Sequence, residues 1–266
     1  LANWLPGTSD VKDWLEEIKR LLHEEVDYRH EAYMTEEMAD RVADDERFLV
    51  PRIFRQYSSA KILTMEYLEA QIQDTITANE LQNTAARIRI TVFRNDGGLY
   101  TPTTNDVSFH IEATALNTPF FQLSAEEYEV ELFKDFYVNP DMLSTLKTTN
   151  KMVNIVGSIF AQENGFQNCL LLNSDKKVVE SLNGNLFMVK GNTITTPPKS
   201  DGCLNGIIRK KLMEMISKLE DYTLEEKSIS PFDLQKADEL FVTNAIVGIQ
   251  PIYKYRKKKF VATTAA

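Results

Sequence analysis

Apolar positions recur at helical spacing early in the chain and switch to strict alternation later. Behind Asp10, whose side chain can accept the first free amides of a helix, Val11, Trp14, Leu15, Ile18, Leu21 and Leu22 share one face. Glu16, Glu17, Lys19 and Arg20 take the other face, so the spacing predicts a half-buried helix over 10–22. A second helix is predicted over 28–43, followed by short strands over 48–51 and 61–67. From residue 87 the period becomes two: Ile88, Ile90 and Val92 alternate with Arg89, Thr91 and Phe93. After Gly97 and Gly98 the alternation resumes over 107–111, which predicts a β-hairpin or two neighbouring strands. Further strands are predicted over 169–172 and 186–189, and helices over 151–164 and 205–220. In the last of these, Ile208, Leu212, Met215, Ile216 and Leu219 form the apolar stripe. Strands and helices intermixed in this way predict an α+β (mixed α/β) fold, preceded by a mainly helical segment.

Composition narrows the class without naming a chemistry. The chain has 266 residues, 43% apolar and 26% charged, as in an ordinary globular protein. It holds no uninterrupted run of the ~18 apolar residues that a membrane helix needs. Residues 1–6 lack the basic start and apolar run of a secretion signal. Two cysteines, Cys169 and Cys203, make no disulfide framework and fit a reducing cytoplasm. With three scattered histidines they offer no metal-ligand spacing, so no metal is expected. The net charge of −9 argues against a nucleic-acid partner. Its distribution is uneven: residues 1–70 carry a balance of −7 and both tryptophans, and the rest only −2. Such a step predicts two pieces of separate origin, joined near 69–73.

In the first piece, Glu24-Glu25-Val26-Asp27-Tyr28-Arg29-His30-Glu31-Ala32, Val50-Pro51-Arg52-Ile53 and Ile62 through Leu68 together resemble the UbiB-type atypical kinases. The resemblance implies that Glu25 and Asp27 lie near nucleotide and metal, that Glu31 pairs with the nucleotide lysine, and that Met65-Glu66-Tyr67-Leu68 is a hinge. By their spacing and charge alone, the same carboxylates are a solvated acidic helix face. Phosphoryl transfer needs a phosphate-binding lysine and a catalytic loop carrying Asp and Asn. No lysine-bearing strand precedes Glu25, and no such loop follows Tyr67.

Three stretches of the second piece could carry chemistry. Lys147 stands in a Thr/Ser-rich connection, where a lysine is ordinarily a solvated surface group. Glu180 follows two valines at a strand end, the usual place of a capping residue. Gly202 and Gly206 flank a helix start, which is common turn chemistry but also exposes amides suited to phosphate. Their order is more specific than any one of them. Lys147, then Glu180 with Asn185-Leu186-Phe187, then Thr195-Thr196-Pro197, Leu204-Asn205-Gly206-Ile207-Ile208-Arg209 and Ala237 through Ala245, resembles the class IV pyridoxal-phosphate enzymes. That family includes branched-chain and D-amino-acid aminotransferases and aminodeoxychorismate lyase.

The resemblance implies a fold-type IV architecture with an incomplete small domain over 71–120 and a large cofactor domain over 121–266. It implies pyridoxal 5'-phosphate as cofactor, Lys147 as the Schiff-base lysine and proton carrier, and Glu180 as partner of the ring nitrogen. Gly206, Ile207 and Ile208 would hold the phosphate, Leu204 would lie on the ring face, and Asn185, Asn244 and Ala245 would complete the cofactor site. Arg94 matches an arginine of the substrate loop, and a cytoplasmic homodimer acting on an amino acid or keto acid is implied. The chain departs from the pattern in lacking the His-x-x-Arg-Leu helix that grips the phosphate, in Met152 where aminotransferases have Tyr, and in Leu99 where some members have a second substrate arginine. Three readings follow: a transaminase or lyase, a kinase-like nucleotide-binding fragment, and an inactive fusion of the two.

Overall fold

The computed structural model describes residues 28–41, 53, 55 and 66–261, apart from 96, 99, 102, 105 and 125. The helix expected over 10–22, the strand over 48–51, Glu25, Asp27 and Leu99 lie outside the described residues. The chain divides into two units, residues 1–119 and 120–266.

In the first unit, α1 (Tyr28–Arg41) is the second expected helix. Two of its carboxylates are engaged in surface ion pairs: Glu36 accepts from Arg55 Nε at 2.9 Å, and Glu37 pairs with Arg41 at 2.9 Å. The strand expected over 61–67 is not continued at its end. Glu66 and Tyr67 open α2 (Glu66–Ala78), which also runs unbroken through 69–73. Leu68, Ile72 and Ile76 explain this, because four-residue spacing places them on one half-buried side of a helix. β1 (Ala86–Arg94) and β2 (Val107–Ala115) pair antiparallel in register from Ala86↔Ala115 to Arg94↔Val107, the hairpin that the alternation predicts. Arg89 stands directly opposite Glu112 and makes an ion pair with it, and Arg94 ends β1.

The second unit is built on a ten-stranded mixed sheet. β3 (Glu129–Val138) connects through α3 (Met152–Glu163) to β4 (Asn168–Asn173), and the two strands pair parallel, as a helical crossover allows. β5 (Val178–Ser181) and β6 (Asn185–Lys190) follow antiparallel. At its far end β6 then pairs with β7 (Thr193–Thr196), which pairs parallel with β8 (Thr223–Glu226), and along its length it pairs with β9 (Glu239–Asn244). Every residue of β4 and β5 is buried, so these strands read as apolar runs rather than alternation. Phe133, Cys169 and Leu171 form one core cluster with Ala161 of α3. α4 (Ile207–Ile216) lays Leu212, Met213 and Ile216 against Phe187, Val189 and Phe241. Leu186, Leu240 and Val242, on the other face of the same strands, join a third cluster with Leu234, Ile252 and Tyr255. The expected helix over 205–220 is shorter, because it begins behind Gly206 and its last turn loosens at Ser217.

Candidate active site

The connection from β3 to α3 is irregular but bonded. Asn139 Nδ2 donates to Asp141 Oδ2 at 2.8 Å, and Asp141 Oδ1 accepts from the Ser144 amide at 3.0 Å. These bonds hold the Asp141 carboxyl below its ordinary range, the Asn139 bond contributing most. Two tight turns follow, Leu146 N to Leu143 O and Thr148 N to Leu146 O, and Lys147 projects from between them. The Asn205 amide donates to Thr145 O at 3.1 Å, tying this loop to the segment that opens α4.

Glu180 and Asn185 face each other across β5 and β6. Between them they fix one residue, through the two peptide groups that flank it. The Leu204 amide donates to Glu180 Oε2 at 2.8 Å, while Asn185 Nδ2 donates to the Leu204 carbonyl at 2.8 Å. Leu204 is thus held at both ends by side chains of the sheet. Two residues on, Gly206 is the residue before the first turn of α4 and makes no side-chain cap. A Cβ there would come within 2.2 Å of Asn185 Oδ1, so only glycine lets the chain pass Asn185 at this distance. The first amides of a helix have no partner within it, and an anion is the natural ligand for them. Gly184, in the β5–β6 turn, lies equally close to β9: a Cβ would meet Thr243 O at 2.8 Å.

A cavity of about 370 Å³ lies over this construction. It is lined by Lys147, Asn185, Leu204, Gly206, Ile207, Ile208, Asn244 and Ala245, residues that the sequence pattern singled out. Glu180 is not among its walls. It borders a second cavity of about 260 Å³ with Lys151, Met152 and Asn154, and communicates with the first through the Leu204 peptide. Arg94 belongs to the first unit. The Asn244 side chain has a task of its own, since Oδ1 accepts from the amides of Ile246 and Val247 at 2.9 and 3.0 Å. Thr243, Gly184 and Lys151 went unassigned in the sequence pattern. Thr243 was legible in principle, as it sits two residues beyond the core residue Phe241 on one strand.

Glu180 is only 6% exposed. Burial pushes its carboxyl up to about 7, against the Leu204 amide and the charges of Lys151 and Lys147, which pull it down. A carboxyl raised in the fold from 4.5 favours the native state while protonated, and that contribution is lost as pH climbs through about 7. The ligand-free protein is therefore expected to lose about 2–3 kcal/mol of stability between about pH 5 and pH 8. Glu180→Gln should remove this slope. Urea unfolding of both proteins at the two pH values checks it, and parallel slopes would refute the assignment.

Among the described residues, no group of three or more His, Cys, Asp or Glu could hold a metal ion. No helix among them is long and apolar enough to cross a membrane.

Known proteins place these features. The family model for amino-transferase class IV matches residues 54–255, and that for the ABC1 atypical kinase-like domain matches residues 1–95. The two matches overlap over 54–95. A mitochondrial branched-chain-amino-acid aminotransferase of Arabidopsis thaliana is 38% identical over 94 residues, which is 35% of this chain and 24% of that protein. The chain thus spans about a quarter of the length of the plant relatives it matches. Among solved structures, the branched-chain aminotransferase of Thermoproteus uzoniensis superposes with a TM-score of 0.62 at 25% identity, covering 74% of this chain and 66% of that one. The branched-chain aminotransferase of Escherichia coli gives 0.63 at 22%, covering 86% and 71%, a likeness of fold. The sheet, the Leu204 clamp and the match over 54–255 lead to one conclusion: the chain belongs to the class IV aminotransferase family.

Proposed function

We propose that the second unit binds pyridoxal phosphate and catalyses amino-group chemistry on an amino acid or keto acid, by transamination or by lyase-type elimination. Class IV aminotransferases depend on this cofactor. The observation that carries the reading is Leu204, whose amide and carbonyl are clamped by Glu180 and Asn185 beside a cavity that Lys147 and the start of α4 share. Its volume lies within the ~300–1,000 Å³ usual for small-molecule sites. When bound, the cofactor supplies an electron sink for charge developing at the substrate carbon that bears the amino group. The chain's own groups supply the rest. Lys147 Nζ would hold the cofactor through its aldehyde and would carry the proton at that substrate carbon. Glu180, a buried carboxyl raised to about 7, would be the partner of the ring nitrogen. Asn185 and Gly206 position Leu204 and open the helix terminus to the phosphate. A cytoplasmic homodimer belongs to the same proposal.

Incubation with pyridoxal phosphate, borohydride reduction and peptide mapping tests this: a pyridoxyl adduct on Lys147 supports it, and no adduct overturns it. The kinase-like match over 1–95 favours a second reading, nucleotide binding by the first unit. Titration of this chain with Mg-ATP is expected to give no binding, because Tyr67 is not followed by a catalytic loop carrying Asp and Asn. Saturable binding at micromolar nucleotide would reverse the ranking of the two.

A further inference from the structure

Alternate residues of a strand share a face. In β9, Phe241 packs with Phe187, Ile194 and Ile216, so its face is the one α4 covers. Thr243 lies on that same face, and pairs across to Asn185, whose side chain adjoins Gly206 at the head of α4. Thr243 is 1% exposed, lines the 370 Å³ cavity, and its Oγ1 has no hydrogen-bond partner. Buried hydroxyls are nearly always bonded, so an unpartnered one beside a cavity calls for a ligand. Two other buried side-chain atoms among the described residues lack partners, Asp201 Oδ2 and Arg209 Nε, but neither residue lines this cavity. The cavity's second hydroxyl is already committed, since Thr145 Oγ1 donates to Met142 O at 3.0 Å. Ile208 and Ala245 bring no hydroxyl, and among its described walls no arginine is present. Its one described cation, Lys147, is committed to the aldehyde in the reading above, so neutral donors are what remain for an anion at the start of α4.

We propose that Thr243 Oγ1 donates a hydrogen bond to a phosphate group seated against the amides of Ile207 and Ile208. The inference rests on the reading above, in which that phosphate is the cofactor's, but phosphate recognition can be measured without the aldehyde. Asn185 brackets the same terminus, so β6 and β9 jointly aim the site at the helix head. A hydrogen bond to a charged acceptor is stronger than one between neutral groups, and Thr243 has no internal bond to give up for it.

The test compares the full chain with Thr243→Val and Thr243→Ser, using calorimetric titration with inorganic phosphate and absorbance titration with pyridoxal phosphate and with pyridoxal. Thr243→Val is expected to weaken phosphate and pyridoxal phosphate on the order of tenfold. Pyridoxal, which has no phosphate, should bind it as it binds the native chain, and Thr243→Ser should retain native affinities. The ligand-free melting temperature of Thr243→Val should equal or exceed the native one, because a purely structural hydroxyl would give a drop. Unchanged phosphate affinity in Thr243→Val, an equal loss for pyridoxal, or a lowered melting temperature would each overturn the proposal. Failure of the native chain to bind phosphate or pyridoxal phosphate would do so as well. Phosphate binding that depends on Thr243, without a trapped adduct on Lys147, would sustain this inference and sink the amino-transfer reading instead.

Discussion

Lys147→Ala is expected to yield a folded protein that keeps no borohydride-bleachable absorption band after mixing with pyridoxal phosphate and desalting. Turnover should fall by at least ~10²–10⁴-fold, the range for losing a positioned proton-transfer group. Two features of the site separate this from a stability effect. Lys147 is exposed and makes no hydrogen bond or ion pair among the described residues, so its removal should change stability by no more than about 0.5 kcal/mol. The loop that presents it is held by Asp141, Ser144 and the Asn205 amide, none of which depends on its side chain. The competing nucleophile is Lys151, four residues on, which borders the second cavity with Glu180. Peptide mapping distinguishes them. A band that survives in Lys147→Ala, with the trapped pyridoxyl group on Lys151, would transfer the covalent role to Lys151 and leave Lys147 as a neighbouring charge.

The sequence made some of these features plain and hid others, for reasons that differ residue by residue. β1 and β2 were legible from the alternation in their sequence, although burial within the hairpin does not follow it: Ile90, Val92 and Phe109 are exposed and Thr91 is half-buried. β4 and β5 are buried on both sides, so they show no alternation: β4 was legible only as the short apolar run over 169–172, and β5 only as two valines ahead of Glu180. The start of α2 was misjudged because Ile62-Leu63 and Tyr67-Leu68 form short apolar pairs. Only the further repeats at Ile72 and Ile76 reveal the helical period. Glu180 looked like a strand-end cap, yet it sits inside β5, since Asn185 and Leu171 flank it on both sides. The order of Lys147, Glu180, Gly206 and Asn244 survived in the sequence because each is fixed by its own local chemistry. Which groups share a cavity did not survive, because that depends on β6 and β9 pairing across more than fifty residues of chain. Thr243 shows the consequence: an ordinary strand residue by composition, it becomes informative only when its hydroxyl is found buried and unbonded.

Gly206→Ala should do the most damage for a single methyl group. The added Cβ would lie 2.2 Å from Asn185 Oδ1, well inside contact distance, so one of the two must move. Asn185 cannot retreat freely, because its Nδ2 is bonded to the Leu204 carbonyl and its backbone is paired to both Glu180 and Thr243. If Asn185 yields, its buried Nδ2 loses its acceptor and the Leu204 carbonyl keeps only the Gly206 amide as donor. If Gly206 yields, the head of α4 shifts away from the cavity. Either way the variant is expected to be destabilised by about 1–3 kcal/mol, the usual cost of overpacking or of an unpaired buried polar group. Cofactor retention should fall with it, because the same atoms frame the phosphate end. The explanation has a sharper consequence in the double variant. Asn185→Ala removes the obstructing oxygen, so Gly206→Ala in that background should cost much less than in the native chain. The expected coupling is favourable by about 0.5–3 kcal/mol, the range found for residues in contact. Additive costs in urea unfolding would mean that Gly206 is required for backbone conformation instead, an idea its φ of −64° already disfavours, since alanine adopts that angle readily.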